Sequence, residues 1–337
     1  MSNKIKMPVN LTKIRDVKLT ARELIDFENK VKDKYEKGEI KGPVHLAGNN
    51  EDELIEMLSD REVLIAGTEP ITENVLKKSK KLKFISRVGV GLDSINLLEA
   101  KKRGIQISFT PDAPSAAVAE LTIGLILSQL RHIHIADKNM HSKIWQKNTG
   151  RRLGECNVGL IGTGRIGRQV LALLYSFRPN KIFLHDVNES EDIATKYNAE
   201  YVSKDDILEK CDVISLHIPL NNNTFHMVNE EELHKMKCDA IIVNTSRGPI
   251  INEKALYEAL MTKEIGGAAI DVYDKEPYEG KLTNVDNCLL TPHIGPMSMD
   301  CRSKMEMEAV QEVIRYYKGE NLQRLVPDSE YKLRENI

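Results

Sequence analysis

The chain has 337 residues, 41% hydrophobic and 29% charged, with a formal net charge of -2. This is the composition of an ordinary soluble globular protein, and the length exceeds what one hydrophobic core usually organises, so two domains are expected. The near-neutral balance gives no reason to expect nucleic acid or an acidic membrane as partner, and the basic cluster over 77–83 reads as a solvated helix face. Cys156, Cys211, Cys238, Cys288 and Cys301 are scattered, odd in number and without metal-ligand spacing, which points to reduced thiols in a cytoplasmic protein and to no metal. The opening MSNKIKMPVN has no apolar core of a secretory signal, and the longest apolar run, 121–130, is well short of a membrane span.

Along the chain, residues 1–42 are charge-rich, with a helical pattern over 20–37 that repeats Leu24, Phe27, Val31 and Tyr35 on one face. We expect these 42 residues to form a helical extension. Apolar runs follow at 44–46, 63–66, 84–90 and 105–109, separated by helical patterns at 51–58, 72–80 and 94–103. That alternation predicts a small parallel-sheet domain. A long helical segment then runs from 117 toward 143. Further strands are expected at 158–161, 213–218, 240–243, 268–272 and 289–291, forming a second, larger doubly wound sheet. The tail over 297–317 is helical and is expected to return to the first domain, making that domain discontinuous. The boundaries expected are 43–110 with 296–337 for the smaller domain and 111–295 for the larger.

The most specific pattern is CNVGLIGTGRIGRQVLALLYSF followed by NKIFLHD. Gly162, Gly164 and Gly167 make G-x-G-x-x-G between an expected strand and helix, and Asp186 ends the next strand at the spacing of roughly 20 residues seen in dinucleotide sites. Gly162 permits the tight turn, Gly164 lets backbone approach a pyrophosphate, and Gly167 lets helix pack on sheet. The phosphates would face unpaired N–H groups at a helix N-terminus. Asp186 accepts hydrogen bonds from ribose hydroxyls and repels a 2′-phosphate, while Val187, Asn188 and Glu189 supply no cation. The pattern predicts NAD rather than NADP.

Three polar residues follow strands of the larger sheet: Arg247 in IIVNTSRG, Glu276 in AAIDVYDKEP and His293 in LLTPHIG. Hydride transfer to or from NAD also needs a group to move the hydroxyl proton, a group to tune it, and a cation for the substrate anion. Histidine titrates near neutrality, a carboxylate on its second ring nitrogen fixes the tautomer, and arginine offers a rigid fork to a carboxylate. Taken singly, His293 could as well cap a strand end, Glu276 be solvated before Pro277, and Arg247 form a surface ion pair.

With these motifs in order, the chain resembles the D-isomer-specific 2-hydroxyacid dehydrogenases over about residues 60–320. The resemblance is carried by RVGVGLDSINLLEAKKRGIQISFTPDAPSAAVAELTIGLIL, VGLIGTGRIGR, SLHIPLNNNT, NTSRGPIINEKAL, GGAAIDVYDKEP and TPHIG. It implies an α/β fold with a Rossmann NAD-binding domain and a smaller flavodoxin-like substrate domain. It implies an enzyme moving hydride between NAD and C2 of a small 2-hydroxy or 2-oxo acid, with Arg247, Glu276 and His293 as the catalytic set. By the same resemblance Arg165 and Ile166 face the pyrophosphate, Ile218 and Pro219 flank the cofactor, Thr245, Ser246 and Gly295 line the nicotinamide, and Asp271 holds its carboxamide. Backbone amides of Val90 and Gly91 would bind the substrate carboxylate, with Arg87 as a nearby cation, and a homodimer is implied.

Two departures bear on substrate. Phosphoglycerate dehydrogenases of this family usually carry an arginine where Gly67 and Thr68 stand, which weakens the case for a phosphate site, and Pro114 stands where many relatives have Asn. Formate dehydrogenases carry Gln where Glu276 stands. The alternative from another class is an NAD(H)-sensing, corepressor-like module on the same fold.

Overall fold

The structure is a computed structural model that describes residues 51–335. The expected extension over 1–42, its helix at 20–37 and the strand at 44–46 lie outside the described residues. Two compact units divide the described residues, one holding 51–110 together with Arg302–Lys332, the other Pro111–Cys301 with the last described residues from Leu333.

In the first unit β1 (Val63–Ala66), β2 (Phe84–Arg87) and β3 (Gln106–Phe109) lie side by side in sequence order, all parallel. The helices Glu51–Leu58, Glu73–Lys78 and Leu97–Lys102 alternate with them. Thr72 and Asn96 start the second and third of these by accepting the N–H of Val75 and Glu99, groups that the first helical turn would otherwise leave unpaired. Leu54, Leu58, Leu64, Ile85 and Ile107 share one core, and Phe84 stacks on Tyr316 of the helix Met299–Lys318 at 4.9 Å between ring centres. The apolar run expected as strand to 90 leaves the sheet after Arg87. There Gly89 takes a φ of 132° and gives its N–H to Thr110 Oγ1 at 2.7 Å, so the chain turns into a loop at the strand's C-terminal end.

The second unit is built on a seven-stranded sheet in the order β10-β9-β8-β7-β4-β5-β6. These strands are β4 (Asn157–Ile161), β5 (Lys181–His185), β6 (Glu200–Tyr201), β7 (Val213–Leu216), β8 (Ile241–Asn244), β9 (Gly267–Ile270) and β10 (Cys288–Leu290). Every pairing is parallel. Burial on both faces explains why its central strands read as unbroken apolar runs rather than as alternation. One face packs Ile214, Leu216, Ile242 and Ile270, the other Val158, Leu160, Leu184 and Val243. The chain order reverses between β4 and β7, and open sheets of this kind bind ligands off the strand C-termini at such a reversal.

The helical segment expected from 117 toward 143 is two helices, Ser115–Leu130 and Ile133–His141, bent by 67°. His132 between them sits at φ 53°, and a left-handed residue cannot continue a right-handed helix. The first helix is tied to the sheet by Thr122, 3.0 Å from Thr245 Oγ1, and by Gln129, whose amide donates to Ala268 O and to Asn287 O. No single helix among the described residues is long and apolar enough to cross a membrane.

Candidate active site

The glycine turn occupies the reversal point. Gly162 has φ 101°, and a Cβ there would collide with the carbonyl of His217, the residue just beyond β7. A Cβ on Gly167 would collide with Gly162 O, so the helix Arg165–Tyr175 reaches the turn at a distance only glycine permits. A Cβ on Gly164 would meet nothing within 4 Å, and no side chain caps the helix that Gly164 begins. The result is an open concavity of backbone N–H groups at the positive end of a helix, with Arg165 and Ile166 in its first turn. Arg165 Nε is 2.7 Å from Asp112 Oδ1, both well exposed.

At the end of β5, Asp186 accepts the N–H of Thr163 at 2.6 Å and its hydroxyl at 3.1 Å on one oxygen, and the N–H of Asn188 at 2.8 Å on the other. Partial burial opposes the charge, but these hydrogen bonds more than offset it and hold the carboxyl below the usual aspartate range. The uncapped turn and an ionised Asp186 suit the two ends of an adenosine diphosphate, and Ile218 and Pro219 lie on the neighbouring loop after β7.

Arg247, Glu276 and His293 follow β8, β9 and β10, three adjacent strands. Asn244, 1% exposed, folds the first of these loops by donating to Arg247 O at 2.8 Å and accepting the N–H of Ser246 at 3.0 Å. Ser246 Oγ donates to Leu216 O at 2.5 Å, which fastens the loop to β7. Glu276 accepts the N–H of Tyr273 on Oε1 at 3.2 Å, and its Oε2 lies 2.8 Å from His293 Nδ1. Burial works against the Glu276 charge, yet His293 and the nearby Arg247 guanidinium bring its carboxyl below the usual range. An ionised carboxylate can only accept, so Nδ1 carries the proton and Nε2 is the nitrogen left for chemistry.

The His293 backbone lies at φ 52°, uncommon for a side-chain-bearing residue, in a loop whose neighbouring residues are tied down. Asp271, 1% exposed, accepts Thr291 Oγ1 at 2.6 Å and Ile294 N at 2.8 Å on one oxygen, and Gly295 N at 2.9 Å on the other. Burial pushes the Asp271 carboxyl up, against the pull of those donors.

In the first unit the loop after β2 carries the remaining expected residues. Among the described residues nothing accepts from the backbone N–H of Val90 or Gly91. Arg87 is buried at 8% exposure, and its guanidinium donates to the loop itself, to Gly91 O at 3.0 Å and to Val88 O. No cluster of metal-ligating side chains occurs among the described residues. Three participants escaped the sequence reading. Thr163 and Tyr201 at Asp186, and Asn244 beneath Arg247, act by contacts that chain order does not reveal, although a threonine inside a glycine turn is a visible polar anomaly.

Comparison with known proteins identifies the family. The profile described as "D-isomer specific 2-hydroxyacid dehydrogenase, NAD binding domain" matches residues 123–295. The chain belongs to the D-isomer-specific 2-hydroxyacid dehydrogenases, NAD-dependent oxidoreductases. It is 39% identical over 293 residues to a glyoxylate reductase of Thermofilum pendens, covering 84% of this chain and 86% of that protein. It is 36% identical over 271 residues to a hydroxypyruvate reductase of Thermotoga maritima, covering 78% and 87%. Among solved structures, the D-lactate dehydrogenase of Aquifex aeolicus in complex with NAD and lactic acid superposes with a TM-score of 0.72 at 30% identity, covering 79% of this chain and 85% of that one.

Proposed function

We propose that this enzyme reduces small, unphosphorylated 2-oxo acids of the glyoxylate and hydroxypyruvate class to D-2-hydroxy acids, with His293 as proton donor. The observation that carries the reading is the 2.8 Å contact from His293 Nδ1 to Glu276 Oε2, which engages one ring nitrogen and leaves Nε2 as the one for proton transfer. The nicotinamide, when bound, supplies the hydride to C2 of the oxo acid and takes it back in the reverse reaction. His293 Nε2 then gives a proton to the carbonyl oxygen as it becomes a hydroxyl. Glu276 stabilises the imidazolium beforehand, and Arg247 binds the substrate carboxylate while stabilising charge on the oxygen. For oxidation the same nitrogen, unprotonated, receives the hydroxyl proton.

Gly162, Gly164, Arg165, Ile166 and Gly167 are assigned the pyrophosphate, and Asp186 the adenosine ribose. Ile218, Pro219, Thr245, Ser246 and Gly295 are assigned the flanks of the nicotinamide, with the remaining acceptor capacity of Asp271 for its carboxamide. In the first unit the amides of Val90 and Gly91 are assigned a carboxylate, and Arg87 holds the loop that carries them. The preference for unphosphorylated acids is supported by Gly67 and Thr68, which bring no cation, and by the engagement of Arg87 with its own loop. The smallest acids are suggested by the names of the relatives above. A cytoplasmic homodimer completes the reading, supported by the exposed apolar residues Ile133, Met140, Ile144 and Trp145, the last 79% exposed.

The test is a panel of phosphorylated and unphosphorylated 2-oxo acids with NADH consumption as readout. Highest kcat/KM on an unphosphorylated acid is expected. Tight NADH binding without turnover on any acid would instead indicate a nucleotide-sensing protein, and preference for a phosphorylated acid would reject the substrate assignment.

A further inference from the structure

Thr163 stands between the first two glycines of the turn and is only 2% exposed. Its N–H and its hydroxyl both reach Asp186 Oδ2, at 2.6 and 3.1 Å. On its other side the Tyr201 hydroxyl stands 3.1 Å from Thr163 Oγ1. Counting protons fixes the direction of these bonds. An ionised carboxylate only accepts, so the single hydroxyl proton of Thr163 goes to Asp186, and Tyr201 must donate its own proton to Thr163.

A chain of donors therefore runs from Tyr201 through Thr163 to Asp186, each bond polarising the next. Both of its ends are anchored. Tyr201 lies on β6 in parallel register with Leu184, two residues before Asp186, and its ring packs against the sheet core. Arg168 Nε donates to Thr163 O at 2.8 Å and steadies the turn from a third direction. With Asn188 N–H on the second oxygen, the carboxylate cannot rotate, and the direction of its unused lone pairs is set.

We propose that Thr163 and Tyr201 are positioning residues that determine the choice of NAD(H) over NADP(H), by holding the Asp186 carboxylate in the one orientation that receives the ribose hydroxyls and confronts a 2′-phosphate. The inference rests on the assignment of Asp186 to the adenosine ribose. A carboxylate free to turn can swing away from a phosphate and lessen the repulsion. A tethered one cannot, so discrimination depends on the tether as well as on the charge. Burial at Asp186 opposes ionisation, and the donated bonds more than offset it.

The experiment measures kcat and KM with NADH and with NADPH, on one 2-oxo acid, for Thr163→Val, Thr163→Ser, Tyr201→Phe, the Thr163→Val/Tyr201→Phe pair, and Asp186→Ala. Thr163→Val keeps shape and backbone N–H but removes the hydroxyl. It is expected to raise KM for NADH about tenfold and to narrow the NADH:NADPH ratio of kcat/KM by about the same factor. Tyr201→Phe should act in the same direction and less strongly. The double variant should match Thr163→Val, because Tyr201 acts only through the Thr163 hydroxyl, and Thr163→Ser should restore the ratio. A ratio unmoved by Thr163→Val and Tyr201→Phe, while Asp186→Ala collapses it, would overturn the inference and leave the ribose assignment standing. Additive effects of the two substitutions would also overturn it. An unmoved ratio in Asp186→Ala would reject the ribose assignment itself.

Discussion

Asp271 Oδ2 accepts the backbone N–H of Gly295 at 2.9 Å, from beneath the loop that presents His293. Together with the bonds to Ile294 N and Thr291 Oγ1, this places three donors from one short loop on a single buried carboxylate. The loop carries a left-handed residue at its centre, an uncommon conformation for a residue with a side chain, and these three bonds hold the loop around it.

Asp271→Asn should therefore act on catalysis through geometry. An asparagine amide must turn its NH2 toward one or more of these N–H and O–H donors, and the loop has to shift to avoid them. Displacement of a catalytic group by about 1 Å can cost about a hundredfold in rate. We expect kcat to fall by about that factor, and by more than any change in KM for NADH. If KM for NADH changes more than kcat, the carboxylate serves the cofactor more than the loop.

His293→Gln removes the proton donor while retaining a hydrogen-bonding side chain. A fall in kcat of about a thousandfold is expected, the middle of the range for a general acid or base, while the dissociation constant for NADH, read by fluorescence quenching, stays within about twofold. Ordinary turnover in this variant would remove His293 from the mechanism.

Glu276 yields a prediction in pH. Burial disfavours its charge, but the His293 contact and the Arg247 field more than compensate, so its folded pKa is depressed. The sign follows: what the ionised group contributes is complete above the usual glutamate pKa and is lost as pH falls through the depressed folded value. Above that range the carboxylate supports imidazolium, the form that reduction requires. Glu276→Gln removes the support, so the alkaline fall in kcat/KM for reduction should move to lower pH. Oxidation, which requires the unprotonated ring, should gain relative to reduction at a given pH. An identical reduction profile in the variant would show that Glu276 only places the ring.

What chain order disclosed and what it concealed divide along physical lines. Parallel strands buried on both faces leave continuous apolar runs, so β7 was visible as VISL inside the expected 213–218, and β8 (IIVN) and β9 (GAAI) overlap the expected 240–243 and 268–272 with their ends displaced by one or two residues. Residues such as Arg247, Glu276 and His293 stood out because ionisable groups in the loops just beyond such strands are out of character with the runs they follow. The break at His132 was hidden, since no glycine or proline marks the left-handed turn. The two-residue strand Glu200–Tyr201 is too short for any period to register, and it is the element that brings Tyr201 to Thr163. Asp271 was legible as an acidic residue after a strand, but its three bonds to the His293 loop depend on β9 lying beside β10.

Gly167→Ala tests the close approach at the turn. Its added methyl would collide with Gly162 O, a backbone atom fixed by β4, so the helix must withdraw from the strand. Overpacking of this kind costs about 1–3 kcal/mol. The midpoint of chemical denaturation should fall accordingly, and KM for NADH should rise, because the amides at the helix start move with it. A variant of wild-type stability and affinity would mean that the helix and strand have room the structure does not show.

His217 supplies a separate test in acid. Its Nε2 lies 2.9 Å from Ser215 Oγ, while Nδ1 is sealed from water with no partner among the described residues. Burial pushes the ring pKa from the usual 6.5 down to about 3. Between those values the unfolded chain binds a proton that the folded chain refuses, so stability rises with pH across this window, is complete above 6.5 and is lost progressively below it. One proton contributes at most about 1.4 kcal/mol per pH unit, hence about 2 kcal/mol between about pH 7 and pH 5. His217→Gln keeps a partner for Ser215 and cannot take up the proton. Its denaturation free energy should decline over the same interval by about 2 kcal/mol less than that of the wild type. Equal declines in the two proteins would place the acid sensitivity elsewhere, in the carboxylates whose pKa values the fold has lowered.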